Sequence, residues 1–183
     1  LFRMTGDVRY ADYYERAMFN HILSTQHPEH GGYVYFTSAR PAHYRVYSAP
    51  NSGMWCCVGT GMENHGKYGE FIYTHTDDEL YVNLFVASQL NWKEKKFVIK
   101  QETNFPSEET VRLTVDSRKA QTLKIKIRCP WWVKPGEMKV ICKGKDYAVG
   151  AQPSSYIEIE RRWKKGDVIE VTMPMTITVE ELP

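Results

Sequence analysis

Apolar residues return at steps of three and four over 7–24, DVRYADYYERAMFNHILS, which sets Val8, Ala11, Tyr14, Met18 and Ile22 on one side. That period predicts an amphipathic helix, with Asp7 placed to cap it. TGD reads as a tight turn from an earlier helix whose tail is Leu1, Phe2 and Met4, so the helix over 7–24 is half of a helical hairpin. A second helical period covers 58–73 through Val58, Met62, His65, Gly69 and Ile72. Gly59, Gly61, Gly66 and Gly69 lower its propensity, and their use is predicted to be close approach to another backbone. Between these segments, 26–54 carries the turn signals HPEHGG, ARPAH and APNSG around one short strand, YVYFTS.

From about residue 79 the period changes to two. LYVNLFVA, KFVIKQE, VRLTV, TLKIKIR, MKVICK, SYIEIE, DVIEVTM and TITVEE follow one another, separated by polar turns. In LKIKI the alternation is strict, with Leu123, Ile125 and Ile127 on one face and Lys124 and Lys126 on the other. Eight such strands predict an antiparallel β-sandwich. The polar run HTDDE marks the hinge. The expectation is an α+β fragment of two parts, helical over 1–77 and β-sandwich over 78–183.

Composition narrows the classes. The 183 residues are 42% hydrophobic and 13% aromatic, enough for a sizeable core, and a formal charge of +2 is too small to argue for nucleic acid or a membrane surface. No apolar run reaches the length of a membrane-crossing helix. The opening LFRMTGD lacks an initiator Met and starts on what looks like a helix tail, so we expect the chain to be the C-terminal piece of a longer protein. Four scattered cysteines are too few for a disulfide scaffold, and Cys129 and Cys142, each alone in a strand, are expected as buried, inert residues.

The chemistry concentrates in WCCVGTGMENHGKYGEFIY, residues 55–73. A thiolate is the reactive and metal-binding form of cysteine, and a cation or a helix N-terminus favours it. Cys56 and Cys57 lie at the start of the predicted helix, where both sulfurs can be aimed at one ion at roughly 2.3 Å each, if it is zinc. Two ligands do not complete a zinc site. From spacing alone, a pair of small buried residues, a vicinal disulfide, and metal or nucleophile chemistry all stand open; a redox CxxC is absent. Glu63 and His65 follow closely, with helix packing as the plainer role. His27, His30 and His43 sit in loops, available to hydrogen-bond a ligand. Trp131 and Trp132 beside Pro130 read as a core plug or domain interface, or else as an aromatic platform for a ligand.

The wording of the segment carries more than its spacing. WCCVGTGMENHGKYGEFIYTHTDDELYVNLFVAS closely resembles the segment joining catalytic domain to β-sandwich in β-L-arabinofuranosidases of glycoside hydrolase family 127 and its sister family 146. The resemblance extends upstream to TGDVRYADYYERAMFNHIL and downstream through LNWKEK. It implies the end of an (α/α)6 helical barrel followed by the sandwich, and a retaining glycosidase whose nucleophile is a zinc-bound cysteine rather than a carboxylate. It further implies Cys56 as nucleophile and Zn2+ ligand, Cys57 as second ligand, and Tyr35 as an aromatic lining the sugar pocket. The remaining Cys and Glu ligands and the Glu acid/base are expected upstream of Leu1, in a missing N-terminal part of the same protein. The fragment alone is then expected to be inactive and to bind Zn2+ weakly or not at all. The implied partners are arabinose-containing plant glycans or glycoproteins. The competing expectation is a non-catalytic module, either binding sugar through Trp131, Trp132 or Trp163, or purely structural.

Overall fold

The computed structural model describes residues 1–179. The chain divides into two compact units, one of Leu1–Asp12 with Ile72–Pro183 and one of Tyr13–Phe71.

The helical elements begin as the periodicity predicts. Helix α1, Phe2–Thr5, ends at Gly6, whose φ of 67° gives the left-handed turn that only glycine adopts without strain. Helix α2, Val8–Ala17, follows at once. Asp7 caps it by accepting the Arg9 N–H at 3.0 Å, and the Arg9 guanidinium beside it holds the Asp7 carboxyl below its ordinary value. A five-residue π turn, Met18–Ile22, and a 3-10 turn, Leu23–Thr25, carry the helical path to the predicted limit. Helix α3, Cys56–Gly66, and the short α4, Gly69–Ile72, replace the single helix expected over 58–73.

Ten strands follow. In chain order they are β1 Tyr73–His75, β2 Glu79–Val82, β3 Ser88–Trp92, β4 Phe97–Thr103, β5 Thr110–Val115, β6 Gln121–Cys129, β7 Lys139–Cys142, β8 Lys145–Asp146, β9 Ser155–Trp163 and β10 Val168–Thr172. They form a four-stranded sheet, β1-β2-β6-β9, and a six-stranded sheet, β3-β4-β5-β10-β7-β8. One core lies between them, with Leu80, Ile125 and Ile159 from the first sheet and Phe97, Leu113 and Ile169 from the second.

Two expectations are corrected here. The pairing is not wholly antiparallel: β2 runs parallel to β6, Leu80 opposite Ile125. The three intervening strands belong to the other sheet, which gives the chain the long crossover that parallel neighbours need. The strand set also differs. Tyr73–His75, Ser88–Trp92 and Lys145–Asp146 are added, whereas 176–179 of TITVEE form no strand and its last two residues lie outside the described residues.

The strict alternation in β6 is realised as read. Leu123, Ile125 and Ile127 are buried, while Lys124 and Lys126 reach across to Glu79 on β2 and Glu158 on β9 at 3.0–3.6 Å. Cys129 and Cys142 are both buried, and burial pushes the Cys129 thiol up to about 11, far from a reactive thiolate.

A feature invisible in the pattern ties α2 to β6. Arg128, wholly buried, donates to Asp12 Oδ1 at 2.6 Å and to the Asn83 carbonyl at 2.6 Å. Asp12 also accepts the Ser154 hydroxyl at 2.6 Å, and Tyr156 donates to Asn83 Oδ1 at 2.6 Å. Each charge is thereby paired and hydrogen-bonded, which is the condition for placing an ion in a core.

Candidate functional site

The cysteine pair occupies the first two positions of α3, one step inside the helix rather than before it. Trp55 is the N-cap, extended at ψ 156°, and contributes no side-chain cap. The positive end of the helix therefore opens beside both thiols. Cys56 is exposed and Cys57 half-buried. Their sulfurs stand 3.8 Å apart, with no disulfide between them. The Cys57 thiol is raised above its ordinary value, first by its hydrogen bond with Cys56, then by burial and by the neighbouring charge. Two thiolates this close repel, so a cation between them is what would let both ionise.

The donor set fits half of a zinc shell. Two sulfurs each about 2.3 Å from a tetrahedral ion lie about 3.8 Å apart, the separation found between Cys56 and Cys57. Among the described residues, no group of three or more His, Cys, Asp or Glu side chains is gathered where it could hold a metal ion. Glu63 is exposed on the middle of α3.

An aromatic depression adjoins the start of α3. It encloses 290 Å³ and is lined by Tyr35, Phe36, His43, Tyr44, Val46 and Trp55, together with Ser38. Tyr35 lies edge-on to Trp55 at 6.2 Å and to Phe36 at 4.6 Å. Trp55 is joined directly to Cys56, so the ring contact brings Tyr35 to the segment that carries the thiols. Trp55 was not singled out in the sequence; its place beside the double cysteine was the available signal. His43 stacks on Tyr44 at 4.8 Å at the same depression.

His27, His30 and His65 are committed to structure. His65 Nδ1–H donates to the Gly61 carbonyl at 2.8 Å, one turn back along α3, and its ring packs edge-on to Tyr33 at 5.5 Å. His27 and His30 stack at 3.8 Å. Their Nδ1 atoms accept backbone N–H groups, from Glu29 at 3.2 Å and from Gly32 at 3.1 Å respectively. These two rings therefore shape the loop around Tyr33, whose N–H is in turn fixed by Ser48 Oγ at 3.0 Å.

The glycines of α3 and α4 divide. A Cβ on Gly61 would stand 2.4 Å from the Tyr33 ring, so the close approach is real but is made by a side chain. Gly59, Gly66 and Gly69 meet nothing within 4 Å among the described residues, contrary to the expected backbone contact. Of the tryptophans considered as sugar platforms, Trp163 is fully buried and donates to the Leu123 carbonyl at 3.0 Å. Trp132 stacks on Phe105 at 5.8 Å, and only Trp131 is substantially exposed.

Comparison with known proteins locates both halves of the chain. Residues 1–70 match the family described as β-L-arabinofuranosidase, GH127 catalytic domain, and residues 79–175 match the β-L-arabinofuranosidase, GH127 middle domain. Among solved structures, the chain is similar to a glycoside hydrolase at 29% identity and TM-score 0.79, covering 96% of this chain and 30% of that one. It is similar to a GH127 β-L-arabinofuranosidase from Geobacillus stearothermophilus T6 at 27% identity and TM-score 0.78, covering 100% and 31%. It is also similar to the GH127 β-arabinofuranosidase BT3674 at 27% identity and TM-score 0.81, covering 96% and 30%. The chain thus spans less than a third of the length of each. No curated protein matches it.

Proposed function

Because this chain belongs to the GH127 β-L-arabinofuranosidase family, we propose that it is part of a retaining glycoside hydrolase that releases L-arabinofuranose from β-L-arabinofuranosides of plant glycans or glycoproteins. Residues 1–77 are the end of its helical catalytic domain, closing an (α/α)6 barrel, and 78–183 its β-sandwich domain. The observation that carries the proposal is the pair at the head of α3, with Cys56 exposed and its sulfur 3.8 Å from that of Cys57.

Cys56 is the nucleophile and, with Cys57, one of two thiolate ligands that this chain offers to Zn2+. The metal, when bound, supplies the positive charge that keeps both thiols ionised near neutral pH. The Cys56 sulfur attacks the anomeric carbon, the C–S bond forms as the C–O bond breaks, and a carboxylic acid outside this chain protonates the departing oxygen. Water then attacks the same carbon, breaking the C–S bond and restoring the thiolate, with its proton taken by that carboxylate. Tyr35 and Trp55, in contact at the depression that adjoins the start of α3, supply an apolar wall suited to the C–H face of a furanose.

The test uses the intact protein and an aryl β-L-arabinofuranoside. About one zinc per chain is expected by metal analysis, with turnover abolished in Cys56→Ala and a mass increase on Cys56 when a slow substrate is trapped. The isolated 183-residue chain is expected to show no turnover. An intact protein that carried no zinc and kept its activity with both cysteines replaced would overturn the proposal.

A further inference from the structure

At one edge of the six-stranded sheet, β3 and β4 form a hairpin whose turn spans 93–96. The outward residues of β3, Gln89 and Asn91, alternate with the inward Leu90 and Trp92. Lys93 and Lys96 rise from the turn, and Arg118 and Lys119 from the loop after β5. These six line an open depression of 530 Å³. All four cations are exposed, and among the described residues none of them is ion-paired. Asp116, on the same rim, is already neutralised by Lys165 at 2.8 Å. Lys95 in the turn is likewise engaged, with Asp78 at 2.9 Å. The depression thus keeps its unpaired positive charge and spends its paired charge elsewhere.

We propose that this groove binds a carboxylate-bearing glycan, a uronate-rich chain, distinct from the furanoside cleaved at the thiols. The Arg118 fork and the lysine ammoniums match carboxylates, and the Gln89 and Asn91 amides form a floor that can donate to and accept from sugar hydroxyls. Its lining residues include no aromatic side chain, so it lacks the stacking platform by which single-stranded nucleic acid is held. It also lacks the ring on which a neutral sugar would stack, which leaves charge as the selecting element. The choice of a glycan over other polyanions rests on the glycoside hydrolase reading above; the groove itself does not depend on the cysteine chemistry.

The experiment measures binding of the 183-residue chain to de-esterified polygalacturonate by calorimetry at low salt. Binding is expected, weakening steeply as salt rises, and absent with the fully methyl-esterified polymer, which has the same backbone without its charge. Combined Lys93→Gln, Lys96→Asn, Arg118→Gln and Lys119→Gln is expected to weaken it about a hundredfold, within the range for four exposed ion pairs. Asn is chosen at 96 because that residue has a φ of 51°. Neutralising Lys134, Lys139, Arg162 and Lys164 instead, which are equally exposed, is expected to leave binding unchanged. Cys56→Ala is also expected to bind normally, which separates this result from any failure of the nucleophile assignment. No binding, equal loss in the two charge variants, or equal affinity for a single-stranded oligonucleotide would each overturn the proposal.

Discussion

Removing the carboxylate of Asp12 tests the most consequential contact in the molecule. Arg128 is wholly buried and its Asp12 partner nearly so, and Asp12 accepts from Arg128 Nη1 at 2.6 Å, Ser154 Oγ at 2.6 Å and the Trp131 N–H at 3.4 Å. Asp12→Ala strips the guanidinium of its counter-charge while leaving it anchored by Nε to the Asn83 carbonyl. Breaking a buried pair from one side costs about 3–5 kcal/mol, because the surviving charge loses the Asp12 carboxylate at a place where little water can replace it. Against a typical domain stability of about 5–15 kcal/mol, the variant is left marginal. Arg112, whose ion pair with Glu170 at 2.8 Å is exposed on both sides, is the control; Arg112→Ala is expected to cost less than about 1 kcal/mol. Urea unfolding followed by tryptophan fluorescence reads both, since Trp163 is buried in the same unit. Replacing the pair together, Asp12→Leu with Arg128→Met, is expected to recover a large part of the loss, because neither of the two buried charges remains. If Asp12→Ala shifted the midpoint no more than Arg112→Ala, the account of Arg128 as a charge dependent on Asp12 would be wrong.

Two further outcomes follow from local geometry and charge. Gly61→Ala should destabilise by about 1–3 kcal/mol, since its Cβ meets the Tyr33 ring at 2.4 Å, whereas Gly59→Ala, which meets nothing, should stabilise by up to about 1 kcal/mol; thermal melts giving the same sign for both would contradict this. Asp167 is buried, which pushes its carboxyl up, but Lys143 at 2.8 Å, the Lys164 N–H at 3.0 Å and Arg161 outweigh this and leave it below the ordinary 3.8. Its stabilisation is therefore complete above the unfolded value and disappears as pH falls through the folded one; Asp167→Asn should lose stability less steeply below about pH 4, and identical acid limbs for variant and wild type would count against it.

Local periodicity and turn chemistry are written in consecutive residues, which is why so much of the element order was legible. Asp7 before Val8 announced a cap, TGD a tight turn, and the alternation of Leu123, Lys124, Ile125, Lys126 and Ile127 a two-faced strand. The wording around Cys56 and Cys57 pointed to the family with which both halves of the chain align. Where the local signal was weak, the reading slipped. Ser88–Trp92 carries polar residues on its outer face and offers too weak an alternation to predict a strand, and the glycines after Cys57 give no sign of which one meets a ring.

What only the tertiary structure decided is set by contacts between distant positions. The parallel register of β2 on β6 depends on where three other strands lie, not on the residues of either. Asp12 and Arg128, separated by 116 positions, become a buried pair only once α2 meets β6. The same is true of Tyr35 and Trp55, whose rings meet at one depression, and of the four cations of the edge groove. A sequence fixes what each side chain can do; burial and distance, which are properties of the folded chain, decide what it does.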